Sequence, residues 1–487
     1  MTQMNAIQLA LGGLQLPKET MLKLEELAFR SRTDGVDIDR TAHKMQVPEG
    51  MSYDDAIVFL ERKRNEEEAN YDVIDTIDVY PLDGARAMSK VIEQKFGTAI
   101  NNQAEVQTMF GPIRVNATRL TVPVGHNQTE VVAWGVFVLP GIGEAITGHE
   151  FKDGRFVFQI HVTCKGKYRA AANEFVAEVK EYVSKNSIYR GKAIKLSFRD
   201  SNGKPVKPGP DVQPRFLDTT GAISPIFSLV TQNQLDVTLF NPIVHTKRLR
   251  ERKIPVGRKI LLEGGYGNGK TLLAAQLAQL CTKQGWTFVA VADTRDLQEC
   301  LRIAAQYSPA VVFAEDIDTI MKIGTPDEIK TETQRLSTSL DGVDNKNREV
   351  MLVMTTNDVM SLPGILVRPG RMDAIIEIGR PDQAAMLRLV HQYAGNLLAP
   401  GVTDEQIVES MQTILGQSGS FIREVVDRAK LSAVQNEDGF INDVDLRVSA
   451  TMMKHHAAIL DRTSPEEVKA AAATQVKGNG ELVGAGR

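Results

Sequence analysis

Polar and charged positions dominate the first 75 residues, where the run Glu61-Arg62-Lys63-Arg64-Asn65-Glu66-Glu67-Glu68 suits the solvated face of a helix. Residues 1–75 are therefore expected to be a helical N-terminal region. From about Asp75 the pattern changes. Phe156, Phe158, Ile160, Val162 and Cys164 alternate with Arg155, Val157, Gln159, His161 and Thr163, a period of two that gives a strand one apolar face. Residues 131–139 form a more continuous apolar run, and Ile194, Leu196 and Phe198 alternate again; between them Phe175, Val179 and Tyr182 recur at helical spacing. Residues 76–200 thus read as an α+β N-terminal domain. The segment 201–232, with Asn202-Gly203-Lys204-Pro205 and Lys207-Pro208-Gly209-Pro210, has the composition of a linker. Beyond it, Ile260-Leu261-Leu262, residues 310–314 and residues 350–354 are short continuous apolar runs of the kind a buried parallel sheet requires. Leu273, Ala274, Leu277 and Leu280 give the first of them a following helix. The second half is α/β, and 463–487 reads as a flexible tail.

Composition narrows this picture only slightly. A chain of 487 residues with 42% hydrophobic and 24% charged positions is globular and long enough for several domains. The net charge of −4 supplies no global field for nucleic acid or an anionic membrane. Cys164, Cys281 and Cys300 are too dispersed for a disulfide framework or a structural zinc, and His126, His149 and His161 lack metal-ligand spacing. No secretory leader and no membrane span is visible, so a cytoplasmic location is expected.

The chemistry lies in the second half. Gly264-Gly265-Tyr266-Gly267-Asn268-Gly269-Lys270-Thr271 fits the phosphate-loop pattern GxxxxGK[ST], and it sits between the first apolar strand and its helix. Glycines permit the dihedrals that turn backbone N–H groups toward phosphate oxygens, Lys270 reaches the outer phosphates, and the Thr271 hydroxyl is a Mg²⁺ ligand. The nucleotide-binding set is taken as Gly264 through Thr271 with Leu272. The second strand ends in Glu315-Asp316-Ile317-Asp318, acids placed at the strand ends where ligands of such sheets bind. The third ends in Thr355-Thr356-Asn357, and downstream Arg368-Pro369-Gly370-Arg371 forms a rigid cationic edge.

In this order the motifs resemble the AAA family of AAA+ ATPases over roughly residues 236–460. The resemblance rests on Pro309 to Asp318, Leu340-Asp341-Gly342, Thr356-Asn357, Arg368 to Asp373, and Gly416 to Ile422. It implies an α/β ATPase domain with a five-stranded parallel sheet over 233–381, a helical lid over 382–462, bound ATP and Mg²⁺, and usually a hexameric ring. By the same resemblance Asn357 is a sensor, Arg368 and Arg371 are arginine fingers for a neighbour's ATP, and Gly419 opens the lid helix beside the nucleotide. Arg423 on that helix is a further candidate.

The sequence departs from the family pattern in three places. The acidic pair runs Glu315 then Asp316, the reverse of the usual order. The other register would put Ile317 in the catalytic place, so Glu315 is assigned to the metal and Asp316 to activating water. Asp is a methylene shorter than Glu, which is compatible with slow turnover. Gly265 and Tyr266 replace a pair of prolines. Finally, the strand at 287–291 is followed by only Ala292-Asp293-Thr294-Arg295 before a helix from about Asp296 to Tyr307, with no aromatic pore loop. The expected function is a ring-forming ATPase that remodels a protein partner through its N-terminal domain. An ATP-gated scaffold with little hydrolysis is one alternative. A nucleic-acid motor is another, suggested by basic residues at 247–259 and weakened by the lack of interleaved aromatics.

Overall fold

The computed structural model describes residues 48, 51–97, 103–108, 111–152, 155–200, 204–206, 212–221, 223–319, 325–343, 349–368, 370–436 and 439–462. Most of the expected N-terminal helical region and the expected tail lie outside these residues. Helix α1 (Tyr53–Glu68) begins at the Ser52 cap, whose side chain accepts from Asp55 N–H, and carries the mixed-charge run. Strand β1 (Asn70–Ile77) follows at once, so the helical expectation for 1–75 fails over its last residues; Tyr71, Val73 and Ile77 supply the alternation a strand needs.

Helix α2 (Pro81–Phe96) starts with proline in its first turn and ends at Gly97, in the left-handed conformation at φ 87°. Next come β2 (Gln103–Thr108), β3 (Gly111–Asn116), β4 (Thr118–Gly125), β5 (Gln128–Trp134), β6 (Val136–Leu139), β7 (Gly143–Lys152) and β8 (Arg155–Lys165). β2–β3 and β4–β5 are separate hairpins, and the order β1-β8-β7-β6 makes an antiparallel sheet. Its alternating residues Phe158, Ile160, Val162 and Cys164 are buried, in one core with α2 and with Phe175, Val179 and Val183 of α3 (Arg169–Asn186). The close approach of α2 to this sheet is set by Gly84, where a Cβ would lie 2.1 Å from Phe158 Cγ.

The strand containing Ile194 and Leu196, β9 (Ala193–Leu196), does not join that sheet. It pairs in parallel with residues 288–291 of the second half, and β10 (Arg215–Phe216), inside the expected linker, pairs with β9 antiparallel. The main elements that follow are α4 (Leu229–Leu235), β11 (Lys259–Glu263), α5 (Lys270–Lys283), β12 (Thr287–Val291), α6 (Leu297–Gln306), β13 (Ala310–Ala314), α7 (Pro326–Val343), β14 (Val350–Thr356) and β15 (Ala374–Glu377), with two short helical turns, Asn241–Val244 and Thr246–Glu251, between α4 and β11. The sheet order is β10-β9-β12-β13-β14-β11-β15. The five strands β11 to β15 are parallel, as expected, and the sheet is extended to seven by β9 and β10. Among the described residues four α-helices follow: α8 (Gln383–Ala394), α9 (Asp404–Met411), α10 (Gly419–Ala433) and α11 (Asp443–Arg462). Met386, Leu389, Ile407, Ile422, Val425 and Leu446 bury one another in their own core. No helix among the described residues is long and apolar enough to cross a membrane.

The N-terminal unit is built onto the seven-stranded sheet through polar contacts. The Tyr307 hydroxyl, at the end of α6, accepts the Tyr80 N–H at 2.8 Å, and the Gln306 amide donates to Phe156 O at 3.1 Å. Arg190 returns the contact by donating to Gln306 O and Ser308 O at 3.1 and 2.9 Å. At the centre is Asp83, 1% exposed, accepting from Ser187 Oγ at 2.5 Å and Ile188 N–H at 2.8 Å, with Tyr307 also bonded to it. Burial pushes its carboxyl up to about 6, against the pull of these donors and of Arg86.

Because the folded value lies above the unfolded one, the native state holds the extra proton between pH 4 and 6, and stability falls as pH rises through that window. Thermal melting should show the protein losing roughly 2–3 kcal/mol relative to Asp83→Asn from pH 4 to 6.5, then running parallel to it. Parallel curves throughout would contradict this placement of Asp83.

Candidate nucleotide site

The loop between β11 and α5 continues the sheet before it turns. Gly264 N–H donates to Thr356 O at 3.2 Å, and a Cβ at Gly264 would sit 2.3 Å from Ile378 O. Gly267 and Gly269 have φ of 77° and 98°, the left-handed region that glycine enters without steric cost. Gly269 is the N-cap of α5, so the helix starts at Lys270 and its N-terminus faces the loop.

A cavity of about 290 Å³ lies against this loop. Tyr266, Gly267, Asn268, Gly269, Lys270, Thr271 and Leu272 line one side, Asp316 and Asn357 reach it from β13 and β14, and Gly419 closes it from the lid. Gly264 and Gly265 stand behind the lining; their carbonyls accept from Lys270 Nζ, at 3.2 Å for Gly265. Lys270, 9% exposed, also donates to Asn357 Oδ1 at 2.8 Å, and Asn357 Nδ2 donates to Asp316 Oδ1 at 3.0 Å. Burial pulls the Lys270 ammonium below the usual lysine value, while Asp316, Asp318, Glu263 and Glu315 pull it back up. A cation, an amide and a carboxylate therefore run in one hydrogen-bonded line across the cavity floor.

The two acids of the reversed pair are placed differently. Asp316 lines the cavity, whereas Glu315 is exposed and outside the lining. Ile317 is 2% exposed, in the core beneath. Among the described residues no cluster of three His, Cys, Asp or Glu could cage a metal ion. The Thr271 hydroxyl at the cavity fits a Mg²⁺ that arrives with phosphate oxygens, the usual habit of that ion.

Arg368 and Arg371 do not line their own chain's cavity. They hold a turn at Gly370, φ 91°, in which Arg371 N–H donates to Arg368 O at 3.0 Å and Arg371 Nη1 to Ile365 O at 3.2 Å. The turn is anchored to β11 because Asp373 Oδ2 accepts Lys259 N–H at 2.7 Å.

Several lining residues were missed in the sequence. Pro225, Ile226 and Phe227 form an apolar wall from what read as linker, and Leu389 and Tyr393 of α8 line the cavity as well. Their only sequence signal is an apolar pair between a proline and Ser228, which caps α4 by accepting Thr231 N–H. Arg423 lines the cavity too, 5.9 Å from the Tyr393 ring centre. Contact between lid and loop is direct: Ser420 N–H donates to Gly267 O at 3.0 Å, and a Cβ on Gly267 would lie 2.1 Å from Ser420 Oγ. An apolar wall facing a cationic, N–H-rich loop suits a flat base joined to phosphates.

Lys270→Ala removes the one lysine in this loop, so ATP affinity measured by titration calorimetry should fall by at least about tenfold with the circular dichroism spectrum unchanged. Undiminished binding would contradict the site.

Residues 260–380 match the family described as "ATPase family associated with various cellular activities (AAA)". The chain is similar to a 26S proteasome regulatory subunit 4 homolog of Encephalitozoon cuniculi, 27% identical over 305 residues, covering 57% of this chain and 68% of that protein. It is also similar to a probable 26S proteasome regulatory subunit 10B of Caenorhabditis elegans, 30% identical over 218 residues, covering 42% of this chain and 53% of the other. A third relative is the proteasome-activating nucleotidase of Sulfurisphaera tokodaii, 28% identical over 254 residues, covering 47% of this chain and 62% of that one. The chain thus spans roughly half to two thirds of the length of these relatives. The family match begins in β11 and ends just past β15, taking in the phosphate loop, the acids, Asn357 and both arginines, so residues 260–380 form an AAA-family ATPase domain.

Proposed function

We propose that the chain binds Mg-ATP in this cavity, hydrolyses it within a ring of like subunits, probing a neighbour's site with Arg371 and Arg368, and uses the cycle to remodel a protein partner. The observation that carries the reading is the line from Lys270 through Asn357 to Asp316 across the cavity floor. Lys270 and the loop N–H groups hold the phosphates, and Thr271 holds the metal. Asp316, tied to Asn357, accepts the proton of the attacking water. The Mg²⁺, when bound, offsets charge on the phosphate oxygens. Glu315 serves the metal side only if its exposed side chain turns inward. The similar proteins named above include a proteasome regulatory subunit and a proteasome-activating nucleotidase, which supports a protein rather than a nucleic-acid partner.

The connection after β12 supports work done without an aromatic pore loop. Asp293 accepts from Arg295 N–H at 2.9 Å and Arg295 Nε at 2.8 Å, and Asp296 accepts Phe198 N–H at 2.9 Å. Arg199 lies 3.3 and 3.4 Å from Asp293 and Asp296. The loop is pinned to the chain beyond β9. Motion of the N-terminal unit, or assembly itself, is the remaining source of work. A second reading, an ATP-gated scaffold with little hydrolysis, is favoured by the shorter reach of Asp316.

A ring with fingers acting in trans makes a distinct prediction. Arg371→Ala should bind ATP normally yet lose about 10³-fold in phosphate release. Mixing it with Lys270→Ala subunits should restore part of the activity, because some interfaces then carry both intact parts. A mixture no more active than its components, or an isolated subunit with full activity, would contradict it.

A further inference from the structure

We infer that Thr355 is a positioning residue for hydrolysis: its hydroxyl holds Asp316 in the left-handed backbone conformation that turns the Asp316 carboxylate into the nucleotide cavity. The inference rests on the reading that Asp316 serves hydrolysis. It begins with the faces of β13. Ala310, Val312 and Ala314 point into the core shared with the N-terminal unit, and Val311 and Phe313 into the core under α5. If the strand continued extended, the period of two would send the Asp316 side chain after Ala314 into an apolar interior. Instead Ile317 occupies that interior and Asp316 lines the cavity. One residue has been stepped over.

The step is made at Asp316 itself, which has φ 49°. Among the described residues two other non-glycine residues have positive φ, Asn127 in the β4–β5 turn and Lys253 just after a short helix, where such a conformation is ordinary. At the end of a fully buried strand it is strained and needs an external restraint. Thr355 supplies it. The β13–β14 ladder ends at the pair Ala314–Met354. One residue further, Thr355 Oγ1 accepts the Asp316 N–H at 2.9 Å, and Thr355 O accepts the Ile317 N–H at 3.0 Å. Thr355 is 1% exposed, so water offers no substitute for that acceptor. A valine there would fill the same space and leave the N–H unsatisfied. Asp316 would then be free to relax out of the left-handed region and away from Asn357.

Single-turnover hydrolysis of Mg-ATP by the full chain, with equilibrium titration of a fluorescent ATP analogue, tests this. Thr355→Val should slow hydrolysis by about 10–100-fold, the effect of a displacement near 1 Å, with analogue affinity changed less than about twofold. Thr355→Ser keeps the acceptor and should recover most of the rate. Thr355→Ala, which presses no methyl on the N–H, should be slow in the same way if the valine variant folds poorly. On an Asp316→Asn background, Thr355→Val should slow the residual reaction no further, because Thr355 acts through Asp316. A wild-type rate in the valine or alanine variant, a serine variant as slow as the valine one, or multiplicative losses in the double variant would each overturn the inference. Asp316→Asn hydrolysing at the wild-type rate would instead refute the assignment of Asp316 to hydrolysis.

Discussion

A buried lysine is an expensive thing to fold around. Removing an ammonium from water costs several kcal/mol unless hydrogen bonds and opposite charge replace the solvent. At Lys270 those replacements come from three separate parts of the chain: the loop carbonyls of Gly264 and Gly265, the Asn357 side chain at the end of β14, and the negative charge of Asp316 beyond β13. Satisfying that one charge fixes the loop, two strand ends and the turn at Asp316 relative to one another. In the proposed function the same groups meet a nucleoside triphosphate and its metal, so stability and chemistry draw on a single arrangement.

That arrangement extends into the N-terminal half. β9 lies beside β12, and α6, which links β12 to β13, ends in Gln306 and Tyr307, both bonded to the N-terminal unit. The strand that leads into the acids, β13, therefore begins at an interface and ends at the nucleotide cavity. A displacement of the acids has a short, packed route to the N-terminal sheet, through one strand and one helix.

The sequence made the parallel strands, the phosphate loop and the helix behind it legible, because each depends on local patterning: continuous apolar runs, glycines at φ-positive positions, and Lys270 at a fixed offset. Five strands of the AAA sheet were expected and are present, with β9 and β10 added. Those two were assigned elsewhere because a four-residue alternation such as Ala193–Leu196 cannot reveal its partner, and β12 lies about ninety residues downstream. Phe227 was hidden for a related reason: a base-facing wall in a proline-bearing segment has no periodicity. The positive φ of Asp316 is invisible in the sequence because it depends on Thr355, which lies about forty residues downstream at the end of another strand.

Phosphate release from the unmodified protein with Mg-ATP, followed across protein concentration, tests the central claim most directly. The account predicts hydrolysis that requires Mg²⁺ and whose rate per subunit climbs steeply as subunits associate, since the arginines lie outside their own chain's cavity. A rate per subunit that is independent of concentration down to the monomer, or no Mg²⁺-dependent release in the fully associated state, would contradict it.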